Sequence, residues 1–288
     1  MATLREVKKR IRTVKSTKRI TKAMEMVAAS KLRRSQRLVE QTRPYSNKMT
    51  EMLTHLAAGS SSDITHPYFD IREPKNKTLV VITSDRGLCG SFNSNIVRRG
   101  MNWLAEQGLP AAEIVTVGKK GNDILKRRRW PIVGNYINWA GKLDYKKVQD
   151  LVAFLTNRFV TGQTDEIYLV YTQYLSTVKY KVVVEPYLPL AKPKSGGSGA
   201  LHTDYIFEPS PEGIYSALMP RYALTKMVSA IVDSFAAEHG SRMMAMGNAT
   251  TNAGDMIDDL SLVYNKTRQA QITKELLEVV SGAEAMAG

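Results

Sequence analysis

The residues best suited to chemistry lie in one loop, Thr83–Ser91, which follows an aliphatic run and contains the only cysteine of the chain, Cys89. A glycine-containing turn between a strand and a helix can offer backbone N–H groups to a phosphate. The loop departs from G-x-G-x-x-G because position 92 is Phe92, and no Gly-Lys-Ser/Thr follows it. A small α/β enzyme acting at Asp85–Ser91 stays an alternative, and a plain thiol at a tight turn is the simpler interpretation.

Outside this loop, the histidines and carboxylates of the sequence do not indicate a metal site or an acid–base pair. The four histidines, His55, His66, His202 and His239, lie in different segments, and none has helical metal-ligand spacing to another ligand. Asp258-Asp259 is typical of a solvated helix face. We therefore predict no catalytic residue, no metal site and no cofactor.

The positive charge is concentrated at one end of the chain. The net charge is +14, and residues 1–58 alone hold 15 Lys and Arg against 4 Asp and Glu, whereas residues 211–288 hold 6 against 9. Such asymmetry indicates an acidic partner. A coiled-coil protein that binds nucleic acid is one alternative. A basic zipper fits poorly, because apolar positions are mixed among the basic residues from Leu4 onward.

Residues 1–58 are predicted to form one helix of the coiled-coil type. They contain no glycine, and apolar residues begin with a spacing of 3, 4 and 3 at Leu4, Val7, Ile11 and Val14. When this spacing is continued along the segment, three successive apolar positions are instead occupied by Lys18, Thr21 and Glu25. There we expect a helix that lacks a continuous partner helix.

Residues 211–288 are predicted to form a second long helix, because apolar residues recur at helical spacing and no proline follows Pro220. Gly240, Gly247 and Gly254 are seven residues apart and so lie near one stripe. The spacing favours a close backbone approach to a neighbouring helix over simple weak points in the helix.

Residues 59–210 are predicted to form an α/β domain. The predicted strands are Lys77–Thr83, Glu113–Val117, Ile132–Tyr136, Glu166–Thr172 and Lys181–Glu185, and the predicted helices are Ser94–Glu106, Lys119–Arg128 and Tyr145–Phe159. Alternating strands and helices predict a mostly parallel sheet with helices on its faces. The predicted fold is therefore α/β: a long antiparallel coiled coil of the N- and C-terminal helices (1–58 and 211–288) plus a central Rossmann-like domain (59–210).

Three segments together resemble the γ subunits of F-type ATP synthases. They are Ile20–Lys31 with its Ala-Met-Glu-Met core, Ser84–Gly90, and the stretch from Arg242 to Ala283 that includes Asn252-Ala253-Gly254 and Ile272-Thr273-Lys274-Glu275. The likeness covers essentially the whole chain. It departs at Ser91-Phe92, where the family often has glycine and leucine, and Ser195–Gly199 looks like a variable insertion.

The resemblance implies a rotor shaft, the central stalk, which is a non-catalytic subunit of the complex. Its coiled coil would turn inside three α and three β subunits, and its foot would meet the ε subunit and the c-ring. Proton-driven rotation of the c-ring would drive ATP synthesis at the β subunits. The resemblance further implies no nucleic acid, membrane contact only through the c-ring, and a peripheral position on the cytoplasmic side of a bacterial cell membrane. One cysteine excludes the dithiol switch of chloroplast relatives.

The same resemblance assigns contact residues by motif. Those implied to contact the β subunits are Met24, Arg86, Cys89, Arg242, Arg268, Gln269, Thr273 and Glu275. Tyr205 and Glu208 are implied to contact the c-ring. The apolar end of the chain, from Leu276 onward, is implied to turn in an apolar collar.

Overall fold

The computed structural model describes residues 3–59, 66–108, 112–139, 141–176, 179–190 and 211–287. The chain divides into two compact units. Unit 1 comprises residues 1–28 and 242–288, and unit 2 comprises residues 29–241. Both long helices have residues in both units. The two units therefore do not correspond to the three predicted domains (1–58, 59–210 and 211–288), which stay a prediction.

The elements follow one another in the order helix, α/β segment, helix. The α-helices are α1 (Leu4–Gly59), α2 (Phe92–Glu106), α3 (Lys119–Arg127), α4 (Tyr145–Val160) and α5 (Pro211–Ala287). The strands are β1 (Lys77–Ile82), β2 (Glu113–Val117), β3 (Ile132–Tyr136), β4 (Glu166–Tyr174) and β5 (Tyr180–Leu188). A single 3₁₀ turn at Pro67–Phe69 precedes β1 in the described part of the chain.

The sheet in unit 2 has the strand order β3-β2-β1-β4-β5. The first four strands run parallel, and β5 pairs antiparallel with β4 at one edge. β1 is central, and its residues Leu79–Ile82 are fully buried. A parallel strand covered on both faces needs such a continuous aliphatic run, because neither set of alternating side chains meets water.

Helices cover both faces of the sheet. Leu79 and Val81 belong to a core to which α2 contributes Ile96 and α3 contributes Leu125. On the other side of β3, Phe154 of α4 comes close to Gly134, so that a side chain at 134 would press on its ring. α4 begins where the Asp144 carboxylate accepts the N–H groups of Lys146 and Lys147.

In unit 1 the two long helices pair antiparallel. Thr250 donates a hydrogen bond of 2.8 Å from its hydroxyl to that of Thr21. A Cβ at Gly254 would lie 2.9 Å from the Lys18 Nζ, and one at Gly247 would lie 3.7 Å from the Glu25 carboxyl carbon. The contacting residue numbers fall along α1 while they rise along α5, which is the antiparallel arrangement that the sequence predicts.

The predicted α/β fold with paired terminal helices is confirmed, but two finer expectations are wrong. Lys18, Thr21 and Glu25 do not mark a gap in the pairing, since all three meet α5. Polar side chains fit there because α5 offers glycine or threonine opposite them. Gly247 and Gly254 also do not bring two backbones together, because the nearest atoms at both positions belong to side chains of α1.

Candidate partner-binding surfaces

The helix pair of unit 1 is joined by a polar layer, which consists of Lys18, Thr21 and Glu25 on α1 and the facing residues of α5. Thr21 is buried, and its hydroxyl also donates 3.1 Å to the Lys18 carbonyl oxygen. Glu25 forms an ion pair of 3.1 Å with Lys22, one turn earlier on the same helix. Directional polar contacts fix the register of two helices better than apolar packing alone.

The end of α5 extends beyond the start of α1. Lys18 lies over Gly254, so fourteen residues earlier Leu4 is matched by Arg268. Beyond that point lie four large apolar residues whose side chains are all more than half exposed: Leu276, Leu277, Val279 (70%) and Val280. We call residues 269–283 the free end of α5. A row of exposed leucine and valine side chains is a surface that a partner covers.

Six of the sequence-predicted contact residues lie on unit 1. Met24 and Arg242 are half-buried, whereas Arg268, Gln269, Thr273 and Glu275 are exposed. The Thr273 hydroxyl donates 3.0 Å to the Gln269 carbonyl oxygen, and Glu275 accepts 3.0 Å from Gln271. The four exposed residues therefore belong to, or directly adjoin, the free end of α5.

The other two β-contact candidates lie in unit 2, on the loop after β1. Ser84 is buried, and both its N–H and its hydroxyl lie 3.0 Å from the Asn93 amide oxygen. The same asparagine donates 3.2 Å from Nδ2 to the sulfur of Cys89, which is 2% exposed. Arg86 is exposed. The cysteine thus holds the loop together from inside, and Arg86 lies on its surface.

The exposed tip of this loop includes a residue that the sequence reasoning missed. Leu88 is 62% exposed and has a left-handed φ of +62°. The left-handed conformation of a leucine costs about 1 kcal/mol of folding free energy, and an exposed side chain gains no packing energy that would offset this cost. Its sequence signal, a lone large apolar residue between Gly87 and Gly90 in a polar loop, makes it a candidate but determines neither its exposure nor its φ.

A phosphate would find few donors at this edge of the sheet. The N–H groups of Lys119 and Asn138 are both donated to the Asp85 carboxylate at 3.1 Å. The N–H of Gly121 is donated to the Thr83 hydroxyl at 2.9 Å. Asp85 therefore ties together the loops after β1, β2 and β3, and it already accepts two N–H groups that an anion at this edge could otherwise use. This geometry argues against the alternative of an enzyme acting at Asp85–Ser91.

Tyr205 and Glu208, the predicted c-ring contacts, lie outside the described residues, as does the Ser195–Gly199 segment. Within the described ranges, no three His, Cys, Asp or Glu side chains are grouped so that they could hold a metal ion. Over the same ranges, no helix combines the length and the apolar character needed to cross a bilayer.

An uncovered apolar helix end defines this chain as a component of a larger assembly, and comparison with known proteins identifies which one. A family model described as "ATP synthase" matches residues 3–286. An ATP synthase gamma chain from Pelotomaculum thermopropionicum is 41% identical over 286 residues, covering 99% of this chain and 100% of that protein. One from Flavobacterium johnsoniae is 42% identical over 288 residues, with full coverage of both. The chain belongs to the family of ATP synthase gamma chains.

Solved structures have the same fold. A chain in the Euglena gracilis mitochondrial ATP synthase, from an assembly of OSCP, F1 and c-ring, aligns with a TM-score of 0.70 at 22% identity, covering 98% of this chain and 94% of that one. A chain from the central stalk and c-ring of the Tetrahymena thermophila mitochondrial enzyme aligns with a TM-score of 0.59 at 27% identity, covering 80% and 99%.

Proposed function

We propose that this chain is the rotor shaft of an F-type ATP synthase, which couples proton-driven rotation of the c-ring to successive conformational changes and ATP synthesis at the β subunits. The observation that carries the proposal is the free end of α5, where Leu276, Leu277, Val279 and Val280 are all exposed. These residues form one broad apolar face on an unpaired helix end, and such a face needs a partner that covers it. The resemblance implies that this partner is an apolar collar.

The shaft would act through the difference between its two helices. The first is strongly basic over residues 1–58, and the second is weakly acidic over 211–288. A β subunit facing the pair would therefore meet basic and weakly acidic surfaces in turn as the pair rotates. Met24, Arg242, Arg268, Gln269, Thr273 and Glu275 are proposed to make these contacts. The polar layer around Thr21 and Thr250 would keep the helices from sliding past each other under load.

The loop after β1 is proposed as a further contact to the β subunits. Arg86 would supply charge for an acidic β segment, and the exposed Leu88 would supply an apolar anchor beside it. Cys89, which the resemblance also assigned to this contact, would act indirectly, because its buried sulfur fixes the loop through Asn93.

The remaining partners are proposed from the resemblance and from the names of the solved assemblies. The ε subunit and the c-ring would bind the α/β foot, with Tyr205 and Glu208 facing the c-ring. Three α and three β subunits would surround the coiled coil. The chain itself would carry no catalytic residue, bind no nucleic acid, and meet the membrane only through the c-ring, on the cytoplasmic side of a bacterial cell membrane.

Reconstitution tests the proposal. The full chain is mixed with purified α and β subunits from the same source, and the complex is separated by size and assayed for ATP hydrolysis. We expect one complex whose ATPase activity the chain alone lacks. A chain ending after Asp255, which removes the free end of α5 together with residues 256–268, is expected to weaken coupling. A chain ending after Ala283, which keeps the whole free end, is the matched control. No complex, together with DNA binding that weakens steeply with salt, would instead favour the nucleic-acid alternative.

A further inference from the structure

In unit 2 both long helices contact the antiparallel edge of the sheet, the hairpin formed by β4 and β5. From α1, the Gln36 amide nitrogen lies 2.5 Å from the Tyr174 hydroxyl oxygen. Also from α1, the Arg43 guanidinium donates to the Tyr174 carbonyl oxygen. Tyr174 is the last residue of β4. The first helix is therefore fixed to the end of the strand by two polar contacts rather than by apolar packing alone.

The second helix holds the same hairpin at three further points. Lys226 donates 2.6 Å from Nζ to the Pro186 carbonyl oxygen. The buried Tyr187 hydroxyl donates 3.0 Å to the Ala223 carbonyl oxygen, and the Ser234 hydroxyl accepts the Thr172 N–H at 3.4 Å. These contacts lie on both strands of the hairpin, so α5 cannot shift along the sheet without breaking several at once.

Arg43 also joins the two helices to each other. Its guanidinium forms an ion pair of 3.4 Å with Asp233 of α5. One side chain therefore links α1, the end of β4 and α5. A planar guanidinium with several fixed donors can hold two acceptors in different directions, which a lysine ammonium does less precisely. The aspartate is 9% exposed and the arginine 45%, so the pair lies partly sheltered from solvent screening.

Resting on the proposed function, we propose that Arg43 and Asp233 form a joint through which torque passes between the α/β sheet and the two helices of the shaft. A twisting force tends to slide a helix over a sheet. Apolar packing is non-directional and resists sliding weakly, whereas hydrogen bonds and an ion pair are lost when the helix moves by about 1 Å. Both are positioning residues, since each would act by holding the helices on the hairpin.

The joint has an electrostatic cost at neutral pH. Burial raises the pKa of Asp233 to about 6, although Arg43 lowers it, and Glu185 adds to the rise. The charged and titratable groups that face it are Arg43 from α1, Tyr171 from β4 and Glu185 from β5. Tyr171 donates 3.1 Å to Glu185, and burial raises the pKa of this tyrosine far above its usual value.

A raised carboxyl pKa gives stability that is fully present below the unfolded-state pKa and is lost as pH rises through the folded-state value near 6. The ionised carboxylate that pairs with Arg43 is therefore the less stable form of the folded chain. Asp233→Asn is expected to raise the Tm of the isolated chain by a few degrees at pH 8, by less at pH 4.5, and by almost nothing below the unfolded-state pKa of 3.8.

The test uses the whole complex in membrane vesicles at pH 8, with the ratio of ATP-driven proton pumping to ATP hydrolysis as the measurement. We expect Arg43→Met and Asp233→Asn each to lower this ratio at least threefold while the complex still assembles. The matched controls are Arg99→Met and Glu106→Gln, which break an exposed ion pair of 3.1 Å within α2 alone. They are expected to leave the ratio unchanged.

The decisive result is the combination for Asp233→Asn: a more stable chain that couples less well at pH 8. A residue with only a structural role would not give it, because a gain in stability would accompany unchanged coupling. An unchanged ratio in Asp233→Asn overturns the joint even where Arg43→Met fails to fold. Failure of the unsubstituted chain to assemble with the α and β subunits would instead overturn the proposed function.

Discussion

At the scale of single residues, Gly118 is the position where a side chain is least possible. It lies between β2 and α3 with a left-handed φ of +93°, and a Cβ there would collide with the carbonyl group of Thr83. Its own N–H donates 2.8 Å to the Tyr136 carbonyl oxygen. The conformation, the collision and the hydrogen bond all restrict the same peptide, so the backbone cannot relax in one respect without losing another.

We therefore expect Gly118→Ala to lower the free energy of unfolding by about 3 kcal/mol or more, from φ strain combined with steric overlap. Gly108→Ala is the matched control, since Gly108 also has a left-handed φ, +66°, but no atom within 4 Å of the added Cβ. That control isolates the strain and should cost about 1 kcal/mol. Urea titration of both variants measures the difference, and equal losses would contradict the steric argument.

Single residues also show where prediction from the sequence ends. The interpretation of Cys89 as a plain thiol at a tight turn agrees with its buried place beside Asn93. The exposure and φ of Leu88 could not be predicted, because they depend on Ser84 and Asp85 anchoring the loop to residues 93, 119 and 138. A local pattern identifies a turn, but distant partners determine which side chain it exposes.

At the scale of elements, the strands were predicted most closely where turns bound them on both sides. Glu113–Val117 and Ile132–Tyr136 were predicted with the bounds that β2 and β3 have in the structure. β4 and β5 extend further than predicted, to Tyr174 and Leu188. The extra residues are paired within the β4–β5 hairpin: Tyr174 pairs with Tyr180, and Pro186 and Leu188 pair with Tyr168 and Ile167. That pairing is a tertiary property which a run of residue types does not encode.

The long helices were predicted from apolar spacing, but their pairing was misjudged where polar residues interrupt it. Lys18 and Glu25 interrupt the apolar spacing of α1, and the pattern of one helix alone cannot show that Gly254 and Gly247 of α5 lie opposite them. Because a glycine has no side chain, it leaves room on α5 for the charged ends of Lys18 and Glu25. Predicting such a pair requires the register of both helices together.

The α5 glycines give a prediction at this scale. Since only the flexible ends of Glu25 and Lys18 lie near Gly247 and Gly254, alanine should fit at both positions. We expect Gly247→Ala and Gly254→Ala each to stabilise the chain by about 0.5–1 kcal/mol, the gain in helix propensity. Thermal unfolding followed by circular dichroism measures it.

The control is Gly100→Ala in α2, where a Cβ would lie 3.2 Å from both the Leu79 and the Val170 side chains in the packed core. That substitution should destabilise by about 1–2 kcal/mol through overpacking. A loss of similar size at Gly247 or Gly254 would mean that the helices approach more closely than the structure indicates, as the seven-residue spacing first suggested.

At the scale of the whole molecule, the uneven charge is a property that the sequence alone makes visible. Of the net charge of +14, +11 lies in residues 1–58, and in unit 1 Lys8, Lys9 and Lys15 are all exposed. A field of this kind accelerates encounter with an acidic partner more than it strengthens the final complex. The identity of that partner does not follow from charge, and it required the family motifs.

Charge steering predicts how fast the chain assembles with α and β subunits, measured as the rate at which ATPase activity appears after mixing. Raising the salt from about 0.05 to 0.5 M should slow assembly roughly tenfold, because the Debye length falls from about 14 to 4 Å.

Replacing Lys8, Lys9 and Lys15 with glutamine should slow assembly severalfold at low salt and flatten the salt dependence. The same change of charge at Lys126, Arg127 and Arg128, all exposed on or beside α3 in unit 2, is the matched control. If both triple variants slowed assembly equally, total charge rather than the basic first helix would guide the encounter, and the asymmetry would have no role in assembly.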